Sequence, residues 1–178
     1  MFWIWPPFWF CFKTPKTVEA LAELTKGKPS RLGIWLFHRI WYKEDRERWG
    51  VPDYWQRPWQ TLELRSGDCE DFAILAIVVM DIWKARGMWK NTPDPFILCV
   101  YKKAAVRWGK KEPAAGHAVC AWFDDKKKVW CHIGNWGFYR TGPLMEDLVN
   151  SIYDNWCVWQ IRSPKGVILE QHAREEKG

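Results

Sequence analysis

No two of the six cysteines in this 178-residue chain form a C-x-x-C pair, and none stands at zinc-ligand spacing. A structural-metal reading of the thiols therefore ranks last. Cys99, Cys120, Cys131 and Cys157 instead fall in apolar, strand-like runs, where cysteine acts as a small hydrophobe. A reducing, cytoplasmic setting is favoured, with disulfides left open. Nothing in the chain reads as a membrane-spanning segment. The N-terminal MFWIWPPFWFCFK lacks a basic leader and a small-residue cleavage site, and Pro6 and Pro7 interrupt it. Residues 1–13 are expected to be an extended aromatic segment packed on the domain, with an interfacial anchor or partner-binding arm as the alternative. Internal repeats and low-complexity stretches are also missing.

Charge is ordinary in amount, at 27% of residues, and mild in sign, at +6. The basic residues gather at Lys126 to Lys128, in a hairpin-like turn, and at Lys102, Lys103, Arg107, Lys110 and Lys111 around Trp108. A basic loop with a tryptophan could touch nucleic acid or an acidic partner, but a solvated loop is the simpler expectation. Nucleic acid is thus not the expected partner. Tryptophan is abundant, with sixteen in all. Most fall within periodic apolar stretches and should be core, the rest stacking surface. At this length one domain can bury a substantial core, and residues 1–163 are read as that domain. Residues 164–178 turn polar and should fray.

Periodicity places helices first. Thr14 and Pro15 can open one that buries Val18, Leu21, Ala22 and Thr25 and stops at Gly27. A second starts near Ser30 and turns Ile34, Phe37, Ile40 and Trp41 inward, leaving His38 as a structural neighbour. DYWQRPWQTLEL then reads as an irregular aromatic connector. The longest helix follows Gly67 and ends at Gly87, apolar round more than half its circumference and so central and buried. Strand signals follow at 96–101, 117–123, 128–133 and 156–161, with a short helix, LMEDLVNSIY, before the last. Helices first, then an antiparallel meander, predict a single α+β domain with its central helix packed on the sheet.

Two places carry chemistry. In RSGDCEDFAILAIVVM, Cys69 sits among Asp68, Glu70 and Asp71, whose charge should disfavour a thiolate. At a helix N-terminus, however, the dipole and free amides favour one, and the acids can be spent on capping or on a cation. The second place is the hairpin HAVCAWFDDKKKVWCHIGN. A three-residue loop at 125–127 pairs Phe123 with Val129, Ala121 with Cys131, Val119 with Ile133 and His117 with Asn135, all on one face. That register puts His132 on the opposite face. A two-residue loop would instead set His117 against Gly134. His117 can equally cap a strand edge while Asn135 makes a turn with Gly134 and Gly137.

DYWQRPWQTLELRSGDCEDFAILA resembles the core motif of transglutaminase-like cysteine enzymes, especially the bacterial transglutaminase-like cysteine proteinases. Trp55, Pro58, Thr61 and Leu62 fit the lead-in, and Gly67 to Ala73 match the motif throughout. The resemblance spans roughly residues 53 to 137 and implies a papain-like core. It also implies a Cys, His and acid in that chain order, here Cys69, His117 and Asn135. Asn departs from the acidic third member and brings no charge to stabilise an imidazolium. The resemblance further implies acyl transfer on an amide of a protein or peptide, more in keeping with hydrolysis than with cross-linking. An idle, binding version of the fold is the alternative. No cofactor is required, though some relatives hold calcium through the acids at positions 68, 70 and 71; capping is the competing role for Asp68, Glu70 and Asp71. For the oxyanion, Gln60 and Trp55 offer N–H donors beside the Cys69 amide.

Overall fold

The computed structural model describes residues 13–90, 94–107, 110–112 and 114–174. The aromatic segment before Lys13 and Trp108 of the basic loop lie outside them. Among the described residues no helix is long and apolar enough to cross a membrane.

Thr17, not Thr14, caps the first helix, α1 (Val18–Thr25), its Oγ1 accepting from the Ala20 amide at 3.2 Å. The expected face is buried: Val18, Leu21, Ala22 and Thr25. The second helix, α2 (Pro29–Arg39), turns differently from expectation. Leu32, Gly33, Trp35 and Leu36 face inward, and Ile40 is buried as expected, while Phe37 is half-exposed and Trp41, just beyond the helix, is 79% exposed. The reason is Gly33. A Cβ there would come within 2.7 Å of the Phe138 backbone nitrogen, so only glycine lets α2 lie this close to the sheet edge. Trp41 and Tyr42 form the short strand β1 (Trp41–Tyr42), followed by α3 (Asp45–Trp49). The connector contains α4 (Pro58–Leu64), then β2 (Ser66–Gly67), which pairs in parallel with β1.

The central helix, α5 (Cys69–Ala85), runs where the apolar stretch predicts it, and it is apolar and buried for most of its length. It packs on one face of a six-stranded antiparallel sheet ordered β10-β9-β3-β6-β7-β8. The strands are β3 (Phe96–Lys102), β6 (Ala115–Asp124), β7 (Val129–Gly134), β8 (Gly137–Arg140), β9 (Trp156–Arg162) and β10 (Ile168–Ala173). The arrangement is α+β, as expected. The basic stretch between β3 and β6 is a small hairpin, β4 (Ala105–Arg107) with β5 (Lys110–Glu112), rather than a plain loop. The second face of the sheet is covered by α6 (Met145–Ile152), which buries Leu148, Val149 and Ile152 against Leu98, Val100, Val119 and Ala121.

Two strand expectations need correction. The polar tail does not fray after Ser163: a turn closed by Ser163 and Gly166 returns the chain as β10, paired with β9. Polar sequence suits this, because an edge strand with both faces wet has no apolar signature. In the β6–β7 hairpin the loop has four residues, 125 to 128, not three. Asp124 fixes it: its carbonyl accepts from the Lys127 and Lys128 amides, its carboxylate accepts from the Lys126 and Lys127 amides, and Lys128 takes a left-handed φ of 55°. Phe123 therefore faces Trp130, Ala121 faces His132 and Cys120 faces Ile133. One added residue moves every β7 side chain to the other face relative to β6. Cys131 and Ile133 join Ala118, Cys120 and Trp122 on α5, while Val119 and Ala121 turn to α6.

Gly33→Ala should lower stability by about 1–3 kcal/mol, the usual range for forcing an atom into a packed contact. Urea unfolding would measure it, and a neutral result would mean α2 can lift from β8 at no cost.

Candidate active site

The helix α5 needs its first amides satisfied, and it meets that need with its own acids. Asp71 lies fully buried one turn in and accepts from the Asp68 amide at 3.2 Å and the Gln56 amide at 2.8 Å; the Gln56 side chain also donates to it. Gly67 makes room for this, since a Cβ there would stand 2.5 Å from an Asp71 carboxylate oxygen. Gln56 is buried and bridges the connector to the helix, donating to the Ser66 carbonyl as well. Cys69 thus begins the helix with its position fixed on both sides.

Cys69 lines a cleft of about 500 Å³ together with Tyr42, Asp53, Tyr101, His117 and Arg162. Its thiol donates to a Glu70 carboxylate oxygen at 3.2 Å. Burial pushes the thiol well above its ordinary value and the Glu70 charge adds to this, while the Ala118 backbone amide, hydrogen-bonded to the sulfur, favours the thiolate. The acids are therefore only partly diverted from the sulfur: Asp71 is, and Glu70 is not.

Two further carboxylates join them. Asp45 opens α3, is 2% exposed and accepts from the Tyr54 amide. Oxygens of Asp45, Asp53 and Glu70 lie within 4.8 Å of one another, as do those of Asp45, Asp68 and Asp71. Among the described residues none of these five acids is in a salt bridge. One oxygen of Asp45 and one of Asp68 are buried without any hydrogen-bond partner. Burial is the first cause that raises Asp68 to about 9 and Asp71 to about 7. Asp45, Asp68, Glu70 and Asp71 are buried and Asp53 is exposed, and together they gather hard oxygen donors of the kind calcium takes. Nothing in the sequence pointed to Asp45, since α3 reaches the cluster only through the parallel pairing of Trp41 with Ser66 and Tyr42 with Gly67.

His117 borders the cleft that Cys69 lines and is 6% exposed; along β6 its side chain alternates with Ala118 and so lies on the sheet face of Val119 and Ala121. Asn135 is not its cross-strand partner. The four-residue loop sends Asn135 and Trp136 into the turn between β7 and β8, where Gly134 faces Gly137. The indole of Trp136 stacks on the imidazole, with centroids 4.4 Å apart and planes 18° apart. Nε2 of His117 and Oδ1 of Asn135 are each buried without a hydrogen-bond partner among the described residues. The same register puts His132 on the face that carries His117, correcting the expected opposite face. His132 stacks on Tyr139, and its Nε2 lies 3.3 Å from Ser151 Oγ. Burial lowers both histidines to about 4.

The two expected oxyanion donors are placed differently. Gln60 turns its Oε1 to the Arg57 amide as a cap of α4 and is not part of the cleft wall. Trp55 does line the cleft, but its Nε1 donates to Asp53 at 2.9 Å and its ring lies under Arg162.

Cys69, at the first turn of a buried helix, and His117, on a strand, therefore line one cleft of a mixed helix-and-sheet domain. No family model matches the chain, and no curated protein matches it either. Among solved structures it is similar to Legionella pneumophila LapG, with a TM-score of 0.48 and 16% identity, over 89% of this chain and 74% of that one.

The two histidines set an acid limit. Each binds its proton near 6.5 when unfolded and near 4 when folded, so the unfolded state holds more protons between those values. Stability from them is full above pH 6.5 and lost as pH falls to 4. Asp68 and Asp71, raised, run the opposite way as pH rises from 3.8, so a variant is needed to isolate the histidine part. His132→Phe should gain on the wild type by about 1–3 kcal/mol between pH 7 and pH 4. Parallel unfolding curves at the two pH values check this, and a constant difference would remove His132 from the acid response.

Proposed function

We propose that this protein is a cysteine-dependent acyl-transfer enzyme of the transglutaminase-like, papain-like kind. It would act on amide bonds of a protein or peptide, with water as acceptor in preference to an amine. The observation that carries the reading is the single cleft shared by Cys69, at the first turn of α5, and His117 on β6. His117 takes the thiol proton as the sulfur attacks the amide carbonyl, and gives it to the leaving amine. Water then attacks the thioester, His117 taking its proton and returning it to the sulfur as the acid leaves. The backbone amide at the start of α5 would donate to the oxyanion. The third role, given to Asn135 from the expected register, depends on a strand pairing that the hairpin does not make.

Calcium belongs to this reading at the acids beside the sulfur. Asp45, Asp53 and Glu70 would hold it, with Asp68 next to them, and their two orphaned buried oxygens fit that use. A bound cation would neutralise the charge that opposes a thiolate. Added calcium should raise the melting temperature by several degrees and chelator should reverse the rise. Asp45→Asn should remove the effect; an identical melting temperature under all conditions would leave the acids as capping groups.

A second reading is an idle, binding form of the same fold, favoured by the hydrogen bond that Cys69 gives to Glu70. Iodoacetamide separates the two. An enzyme should alkylate at Cys69, with calcium present and at pH 7, at least tenfold faster than free cysteine, and His117→Ala should abolish the excess. Alkylation no faster than free cysteine favours the idle form. Cys69→Ala should keep the fold and lose all peptide turnover.

A further inference from the structure

Among the described residues the imidazole of His117 has no acceptor for its inner nitrogen. Nε2 is buried and makes no hydrogen bond, although a histidine that moves protons is usually held in one tautomer by a partner at its second nitrogen. The chain position that could supply one is occupied by glycine. A Cβ built on Gly134 would stand 3.6 Å from Nε2, close enough for a carboxylate or hydroxyl one bond further out to reach hydrogen-bond distance. Asn135, the next residue, has turned away into the β7–β8 turn, and its own oxygen is unpaired. What the ring does have is an indole. Trp136 stacks on it and is itself 49% exposed, so it forms a lid between the imidazole and solvent.

We propose that Trp136 positions the His117 ring by stacking, in place of a hydrogen-bond acceptor that Gly134 cannot provide. The indole restricts ring rotation and keeps water from one face of the imidazole. Position 134 is therefore where the site lacks a third side chain, and Trp136 is a positioning residue that stands in for it. The ionisable groups lining the cleft that His117 borders are Tyr42, Glu44, Asp45, Arg46, Asp53, Asp68, Cys69, Glu70, Cys99, Tyr101 and Arg162, and His132 lies on the same sheet face as His117.

The inference rests on the proposed role of His117, but its test does not need turnover. The His117 titration is followed by NMR in the full chain carrying Cys69→Ala, so the result stands even if Cys69 is inert. Trp136→Ala should raise the titration by a unit or more, because one ring face opens to water. Trp136→Phe should restore it to near the starting value. Gly134→Asp should also raise it by a unit or more, through a carboxylate at Nε2, and Asn135→Ala should leave it unchanged. The new Cβ at 134 would press on Val119 Cγ1 at 3.1 Å, so the same variant is made with Val119→Ala if the single change fails to fold. The proposal is overturned if Trp136→Ala leaves the titration in place, or if Asn135→Ala moves it as far. A folded Gly134→Asp protein with an unshifted His117 would overturn it equally.

Discussion

Much of the site hangs from one buried carboxylate. Asp71 receives the Asp68 amide, the Gln56 amide and the Gln56 side chain, and so joins the connector to the N-terminus of α5. Because it is fully buried, its hydrogen bonds cannot be replaced by water, and losing one would leave an unmet donor or acceptor in the interior. The position of Cys69 follows from it. So does the close approach of Gly67, and through the pairing of Gly67 with Tyr42 the placing of α3 and Asp45.

The sulfur sits between opposing influences. Helix start and the Ala118 amide favour a thiolate; burial and Glu70 oppose it. No positively charged imidazole tips the balance, since burial keeps His117 neutral down to about 4. Burial answers the crowding of acids by raising Asp68, Glu70 and Asp71 toward their neutral forms, and the chemistry of the sulfur turns on whatever offsets the charge that remains. On the proposed reading a cation held by Asp45, Asp53 and Glu70 would do so.

The sequence made α5 and the main strands legible because their periodicity is strong and uninterrupted. It misplaced α2, where a local apolar stripe competed with the need for Gly33 to meet β8. It missed β10, because an edge strand wet on both faces carries no alternation. In the hairpin a count of three against four loop residues decided the facing of every side chain, and nothing local signalled that Asp124 would bond to three successive amides. Cys69 and His117 could be chosen by residue type and position. Asp45, Gln56 and Trp136 could not, because each enters the site through contacts distant in sequence.

The order of strands bears on when the cleft can exist. β3 is hydrogen-bonded between β6 and β9, and Arg162, the last residue of β9, forms part of the wall around Cys69. Residues 45, 69, 117 and 162 must all be present before that wall closes, and the last belongs to the final strand but one. On a growing chain Cys69 emerges long before Arg162, so the helix carrying the sulfur waits for its sheet. Pairings so far apart in sequence are slow to form. A nascent chain therefore carries an unassembled thiol, and the complete cleft appears only after nearly the whole domain has been synthesised.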